Sequence, residues 1–258
     1  MGRFPDQRQV VNESRRKKTL KMGVRRVERI SLVLLVWLAA LGLVYGLYAM
    51  VFEKGIFRLS KVEVESVQRH VSRDDIIRGT GLVMGTNIYS IDLAKLQQQV
   101  LLNPWIKEAS VARKLPSTLW IYAGEYVPAA IVLKDKLYFV DPEGTVFKEV
   151  GAGEEKDLPV ITGAKSEADI EKGMALLRSY MESKLSNYFS LAEININDVR
   201  GHSFVLSHLG VVLKVGFDNV PEKLERFTER LGTISAYKEK MRYVDLNIPG
   251  KVVVKYES

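Results

Sequence analysis

Asn103-Pro104-Trp105-Ile106-Lys107-Glu108-Ala109-Ser110-Val111-Ala112-Arg113, continued by Lys114-Leu115-Pro116-Ser117 and the run Thr118–Tyr126, is the stretch on which the fold turns. Proline closes any helix before it, because its ring disfavours helical geometry at the preceding residue. Ile106 to Arg113 then reads as a strand, Leu115-Pro116-Ser117 as a reversal, and Thr118 to Tyr126 as the strand running back. On that second strand Leu119, Ile121 and Ala123 alternate with Thr118, Trp120 and Tyr122, the period of a sheet with one covered face.

Upstream, Asp92 caps a helical stripe of Leu93, Leu96 and Val100. Gly85-Thr86-Asn87 is a turn. Ser72 heads Arg73-Asp74-Asp75-Ile76-Ile77 as an N-cap, with Asp75 in the place of the capping-box acid, and Gly79 and Gly81 end that short helix. Lys61-Val62-Glu63-Val64-Glu65 alternates as a half-buried strand. The order strand, helix, helix, strand, strand over residues 57–126 predicts a small α+β module, a three-stranded sheet covered on one face by two helices.

Downstream, Pro128 marks a junction to a β-rich domain over residues 127–258. Ala129–Leu133 and Leu137–Val140 read as strands, Asp141-Pro142-Glu143-Gly144 as a turn with proline and glycine at their favoured positions, and Val146-Phe147 as a further strand. Gly151 to Asp157 is a polar loop. Ser166 begins a helix with Ile170, Met174, Leu177 and Met181 inward. Strands follow at Leu191–Asn195, Ser203–Leu206 and Val211–Val215. Pro221 sits in the first turn of a helix over Glu222–Lys240, with Leu224, Phe227, Leu231 and Ile234 on its buried face. Tyr243–Ile248 and Val252–Tyr256 are the closing strands, separated by Pro249-Gly250.

Ahead of all this, Ile30 to Phe52 is 23 residues without a formal charge. As a helix it rises roughly 34 Å, enough to cross a hydrocarbon core of about 30 Å. Residues 1–29 hold ten Arg or Lys against three acids, and this tail accounts for the whole net charge of +7. The positive-inside rule keeps it cytoplasmic and sends residues 53–258 across the membrane. A cleaved leader would have an apolar core of about 7–15 residues and a small-x-small exit; Gly46 to Phe52 has no such pair at the right offset. Gly42 and Gly46 have the spacing of a helix-packing motif, one that also arises by chance in apolar spans.

With the basic excess confined to the tail and no aromatic-basic platform, nucleic acid is not the expected partner. There is no cysteine, which excludes disulfides, thiol catalysis and cysteine-based metal sites. His70, His202 and His208 lack metal-ligand spacing. No Gly-x-Ser-x-Gly elbow surrounds a serine, and Gly79-Thr80-Gly81 lacks the rest of a dinucleotide fingerprint. Of the paired carboxylates, Asp74 and Asp75 open a helix, where the dipole favours them, and Glu154 and Glu155 lie in a loop. The expectation is no enzyme, no cofactor, no metal and no small-molecule substrate. The remaining chemistry is β-augmentation. Lys251-Val252-Val253-Val254-Lys255-Tyr256 is β-rich, and as an edge strand its unpaired backbone groups would template a partner strand. The alternatives are a strand paired on both sides, or an edge kept harmless by Lys251 and Lys255. Trp105 is either core or exposed for a partner.

Several stretches resemble the FtsQ/DivIB family of bacterial division proteins. Ser72–Ile77, Gly85–Asp92 and Asn103–Val111 look like the family's POTRA segment, as does Arg113–Leu119. Pro128-Ala129-Ala130, Phe139–Phe147 and Leu158-Pro159 fit the start of its β domain, and Arg242–Leu246 is typical of its end. Val67-Gln68 stands where members often have Gly-Asn, Glu125-Tyr126 where many have Glu-Arg or Glu-Lys, and Asn247 where they have arginine. The resemblance implies an α+β protein with one transmembrane helix, a POTRA module and a β domain, inserted in the inner membrane with its exported part in the periplasm at the septum. It implies a non-catalytic scaffold whose partners are the bitopic FtsB and FtsL, with FtsK, FtsW and FtsI as further contacts. The partner surface it implies comprises Tyr243, Asn247, Ile248, Lys251, Val252, Val253, Val254 and Tyr256, with Arg230 added from the preceding helix. A POTRA-bearing component of a secretion or envelope-assembly complex is the rival; several POTRA repeats or a membrane barrel would mark it, and the sequence has neither.

Overall fold

A computed structural model describes residues 31–49, 55–66, 69–154, 157–207, 210–234 and 241–256. The basic tail, both ends of the uncharged span, Val67-Gln68, His208 and the end of the helix expected to reach Lys240 lie outside these residues, and Ile234 is described only in its backbone. Among the described residues, one helix, α1 (Ser31–Ala49), is long and apolar enough to cross a membrane, and none of it is buried. The chain folds as an α+β protein in two compact units. One takes in α1 with residues 55–63, 82–93 and 111–120; the other takes in residues 64–81, 94–110 and 121–258.

Three strands form a small sheet in the order β1-β3-β2: β1 (Lys61–Ser66), β2 (Ile106–Lys114) and β3 (Thr118–Glu125). Leu119, Ile121 and Ala123 are fully buried, as the alternation requires. Helix α2 (Arg73–Thr80) has the reciprocal capping box of Ser72 and Asp75 and ends on Gly81 in the left-handed region; Gly79 lies within the helix rather than ending it. Helix α3 (Leu93–Leu101) buries Leu96 and Val100 and stops before Asn103-Pro104. Gln97 Nε2 donates to the Ala109 carbonyl at 2.7 Å, fastening α3 to β2. Trp105 is core: it stacks on His70 with centroids 3.7 Å apart and meets Phe139 and Phe147 at 5.3 and 5.6 Å. Lys107 Nζ lies 3.1 Å from the buried Asp141 carboxylate and 2.8 Å from that of Glu143, and these hydrogen bonds, Glu143's first, push its pKa up.

The larger sheet has nine strands in the order β12-β11-β10-β9-β8-β7-β4-β5-β6. Their ranges are β4 (Ala130–Leu133), β5 (Leu137–Val140), β6 (Val146–Glu149), β7 (Val160–Thr162), β8 (Leu191–Asn195), β9 (His202–Leu206), β10 (Val212–Gly216), β11 (Met241–Asp245) and β12 (Val253–Tyr256). Helix α4 (Glu167–Glu182) links β7 to the parallel β8, and α5 (Val220–Ile234) links β10 to the parallel β11. Parallel neighbours need such crossovers, whereas hairpins serve the antiparallel pairs. Both helices bury their apolar stripes in one core with Ile161, Ile194, Phe204, Leu213 and Val244. Gly173 lets α4 come close: a Cβ there would lie 2.9 Å from Ile161 Cγ2.

Two further expectations are corrected. Met181 is exposed, and Tyr180 fills the core instead, its hydroxyl donating to the Phe189 carbonyl at 2.9 Å and its ring edge-on to Phe204 at 5.5 Å. After Leu177 the helical stripe can continue at either three or four residues' distance, and position 180 is the one that finds both a hydroxyl acceptor and a ring partner inside. Strand β11 spans Met241–Asp245, not Tyr243–Ile248. The Leu246 N–H still reaches the Lys214 carbonyl at 3.0 Å, but Asp245 Oδ1 then accepts from the Asn247 N–H at 2.9 Å and turns the chain away.

Candidate partner-binding edge

Strand β12 ends the nine-stranded sheet. Among the described residues its one neighbour is β11, antiparallel, with Tyr243 opposite Lys255, Val244 opposite Val254 and Asp245 opposite Val253. Among the described residues no strand pairs with the other side of its backbone, which makes β12 an edge rather than a strand paired twice there. Faces alternate along β12. Val252 and Val254 turn inward and pack on the core, while Val253, Lys255 and Tyr256 are exposed.

The outward face of this end is basic and aromatic. Lys214 Nζ sits 4.4 Å and Lys255 Nζ 5.8 Å from the Tyr243 ring centroid, both in cation–π geometry. Between β11 and β12 the chain makes a turn, with Gly250 in the left-handed region and the Lys251 N–H donating to the Ile248 carbonyl at 3.1 Å. Helix α5 holds this turn from above. Arg226 Nη2 lies 3.5 Å from the Leu246 carbonyl, and Arg230 Nη2 lies 3.4 Å from that of Gly250. Of the partner surface expected from sequence, the structure therefore places Tyr243 on β11, Val253, Val254 and Tyr256 on the edge strand, and Val252 and Lys251 just before it. Asn247 and the exposed Ile248 lie in the turn, and Arg230 clasps that turn from an exposed position on α5.

Asn247 has a further task. Gly216, at the end of β10, holds φ at +73°, and a Cβ on it would fall 2.3 Å from Asn247 Oδ1. Beside it the buried Lys223 gives its ammonium to the Val215 carbonyl at 2.8 Å and to Asp218 at 3.0 Å. Arg226 was not singled out from sequence, although its spacing of four from Arg230 puts both on one helix face. Lys214 was likewise missed; only its register opposite Asp245 and beside Tyr243 brings it to the site.

Groups that suggested other chemistry are occupied structurally. Asp75 is held below the usual carboxylate range by the Ser72 hydroxyl and by Arg78. Glu154 pairs with Lys148 at 2.7 Å and accepts the Gly151 N–H. His202 is a core residue whose Nδ1 accepts from the Asn197 N–H at 3.3 Å, and burial pushes its pKa down. Among the described residues no group of three or more His, Asp or Glu is arranged to hold a metal.

A family model described as POTRA domain, FtsQ-type matches residues 57–126, and one described as Cell division protein FtsQ/DivIB, C-terminal matches residues 130–247. Cell division protein FtsQ of Geobacter sp. (strain M21) is 32% identical over 230 residues, covering 83% of this chain and 82% of that protein. The chain belongs to the FtsQ/DivIB family. Cell division protein FtsQ of Geotalea daltonii is similar at 30% identity over 225 residues, covering 82% of this chain and 80% of its own. Cell division protein DivIB of Clostridium tetani is 25% identical over 226 residues, with 81% and 83% covered. As an FtsQ/DivIB member this is a cell division protein, of a family that is generally non-catalytic, and its one N-terminal apolar helix fits a single-pass membrane protein. The FtsQ/DivIB match to the C-terminal region ends at Asn247, so β12 lies beyond it.

Proposed function

We propose that this FtsQ/DivIB protein is a non-catalytic scaffold of the division machinery that captures FtsB- and FtsL-like bitopic partners by adding a partner strand to β12. A cytoplasmic tail over 1–29, an anchor over 30–52 and exported modules over 57–126 and 127–258 present this edge in the periplasm at the septum, upstream of septal peptidoglycan synthesis. FtsK, FtsW and FtsI are further contacts in this reading. The observation that carries it is the position of β12 at the sheet border, with no strand on its outer flank among the described residues. Main-chain hydrogen bonds along that flank supply affinity, and the Lys214–Tyr243–Lys255 face favours a partner carrying carboxylates beside its apolar residues.

Proline tests it, since it removes a backbone donor. Successive residues of a strand aim their N–H groups to opposite flanks. Val253→Pro and Val254→Pro, made separately, therefore remove one donor from the free flank and one from the ladder to β11. At least one of these variants stays folded and loses capture of an FtsB-like peptide, while Val254→Thr captures it normally. Undiminished capture by both proline variants, shown to be folded by circular dichroism, would remove β12 from the mechanism.

A further inference from the structure

Residues 79–91 run for thirteen positions without a formal charge. Within them Val83, Met84 and Tyr89 each leave more than half of their surface in solvent, as does Leu115 at the turn between β2 and β3. Scattered apolar exposure is ordinary, but these residues are gathered onto one braced platform. The Gly85 N–H donates to the Leu59 carbonyl, the Leu59 N–H to that of Thr86 and the Ile88 N–H to that of Phe57, each at 2.8 Å. The Ser60 N–H donates to the Ser117 carbonyl at 2.9 Å, and Arg113 Nε to that of Ile88 at 2.8 Å. The Phe57 and Tyr89 rings pack at 5.2 Å. Segments 55–60, 83–91 and 113–117 are thus tied together, and Ile56 and Arg58 stand exposed at their root.

The chain itself says what lies near this platform. Phe52 is the last residue of the uncharged span, and Ile56 is four residues on. Even fully extended, four residues reach about 14 Å. The headgroup layer on one side of a bilayer is itself roughly 5–8 Å deep.

We propose that this platform docks on the surface of the bilayer that holds α1. Val83, Met84 and Leu115 enter the boundary between headgroups and acyl chains, the phenol of Tyr89 sits among the headgroups, as interfacial tyrosines do, and the Arg58 guanidinium meets lipid phosphate. The docking rests on the membrane-spanning reading of α1. It gives the first module a second hold on the membrane besides the covalent one, which restricts how that module swings about its tether.

The absence of cysteine makes the test clean. Single cysteines at Val83, Met84 and Leu115 are labelled with the fluorophore NBD in the full-length protein, reconstituted into phosphatidylcholine–phosphatidylglycerol vesicles. Nitroxide lipids then probe contact, with Val44→Cys in α1 as the lipid reference and the exposed Val199→Cys as the water reference. Labels at 83 and 84 should show blue-shifted emission and about twofold or more stronger quenching by shallow nitroxides than the label at 199. Quenching equal to that at 199 overturns the docking while leaving the anchor intact. A blue shift without lipid quenching overturns it in favour of a protein covering the platform. An unquenched label at Val44 removes the membrane-spanning reading, and the docking with it.

Discussion

Gly216 and Asn247 show how one missing side chain shapes the edge. Alanine at 216 meets both a positive φ and the Asn247 amide, so Gly216→Ala should cost about 2 kcal/mol or more and displace the turn that leads into β12. Thermal melts read the first effect and capture of an FtsB-like peptide the second; an unchanged melting temperature would mean that the amide moves aside freely. Asp169 is a residue-scale case with a pH signature. Its carboxylate accepts from the Lys165 N–H at 3.0 Å, from the Ser166 hydroxyl at 2.9 Å and from Lys172 at 3.1 Å. These contacts, the backbone donor first, hold its pKa at about 2. The folded value lies below the ordinary one of about 3.9, so the stabilisation is complete above that value and is lost as pH falls through about 2. Asp169→Asn should therefore be less stable than the parent at pH 7, and urea melts of the two should converge as the pH approaches 2. A gap that stays constant across this range would exclude the charge as its cause.

At the scale of elements, α5 does two things. Its Leu224, Phe227 and Leu231 side anchors the sheet, and its Arg226 and Arg230 hold the turn ahead of β12. Replacing both arginines with alanine should raise hydrogen exchange across 246–251 and weaken peptide capture, at a stability cost of about 1 kcal/mol. Unchanged exchange in that turn would show that the arginines do not restrain it. The elements were unequally legible in the sequence. Strands with clean alternation, such as β3, and helices with capping boxes at Ser72 and Ser166 stand where the residues put them, because local chemistry decides them. Strand β7 carries no such local signal. Val160-Ile161-Thr162 is three residues between Pro159 and Gly163, too short for a period to register, and its place in mid-sheet comes from parallel pairing to β4 and β8. The edge was legible as a β-rich segment, but its free flank was not. That depends on strand order, which no local pattern encodes, and the same holds for Lys214, brought beside Tyr243 by a crossover of more than twenty residues.

For the whole molecule, family membership sets the cellular expectation. Depletion in the host should give filamentous cells with unconstricted septa under the microscope, and normal septation would argue against the division role. Strand order adds a timing consequence. β12 follows every other strand of its sheet in the sequence, yet it forms the border opposite β6. Under the topology proposed above, a polypeptide stalled in the translocation channel before Val253 emerges would offer β11 as its margin, with a different row of side chains. On the strand addition proposed above, handover to the next division protein would wait until this border strand has emerged and zipped onto its neighbour.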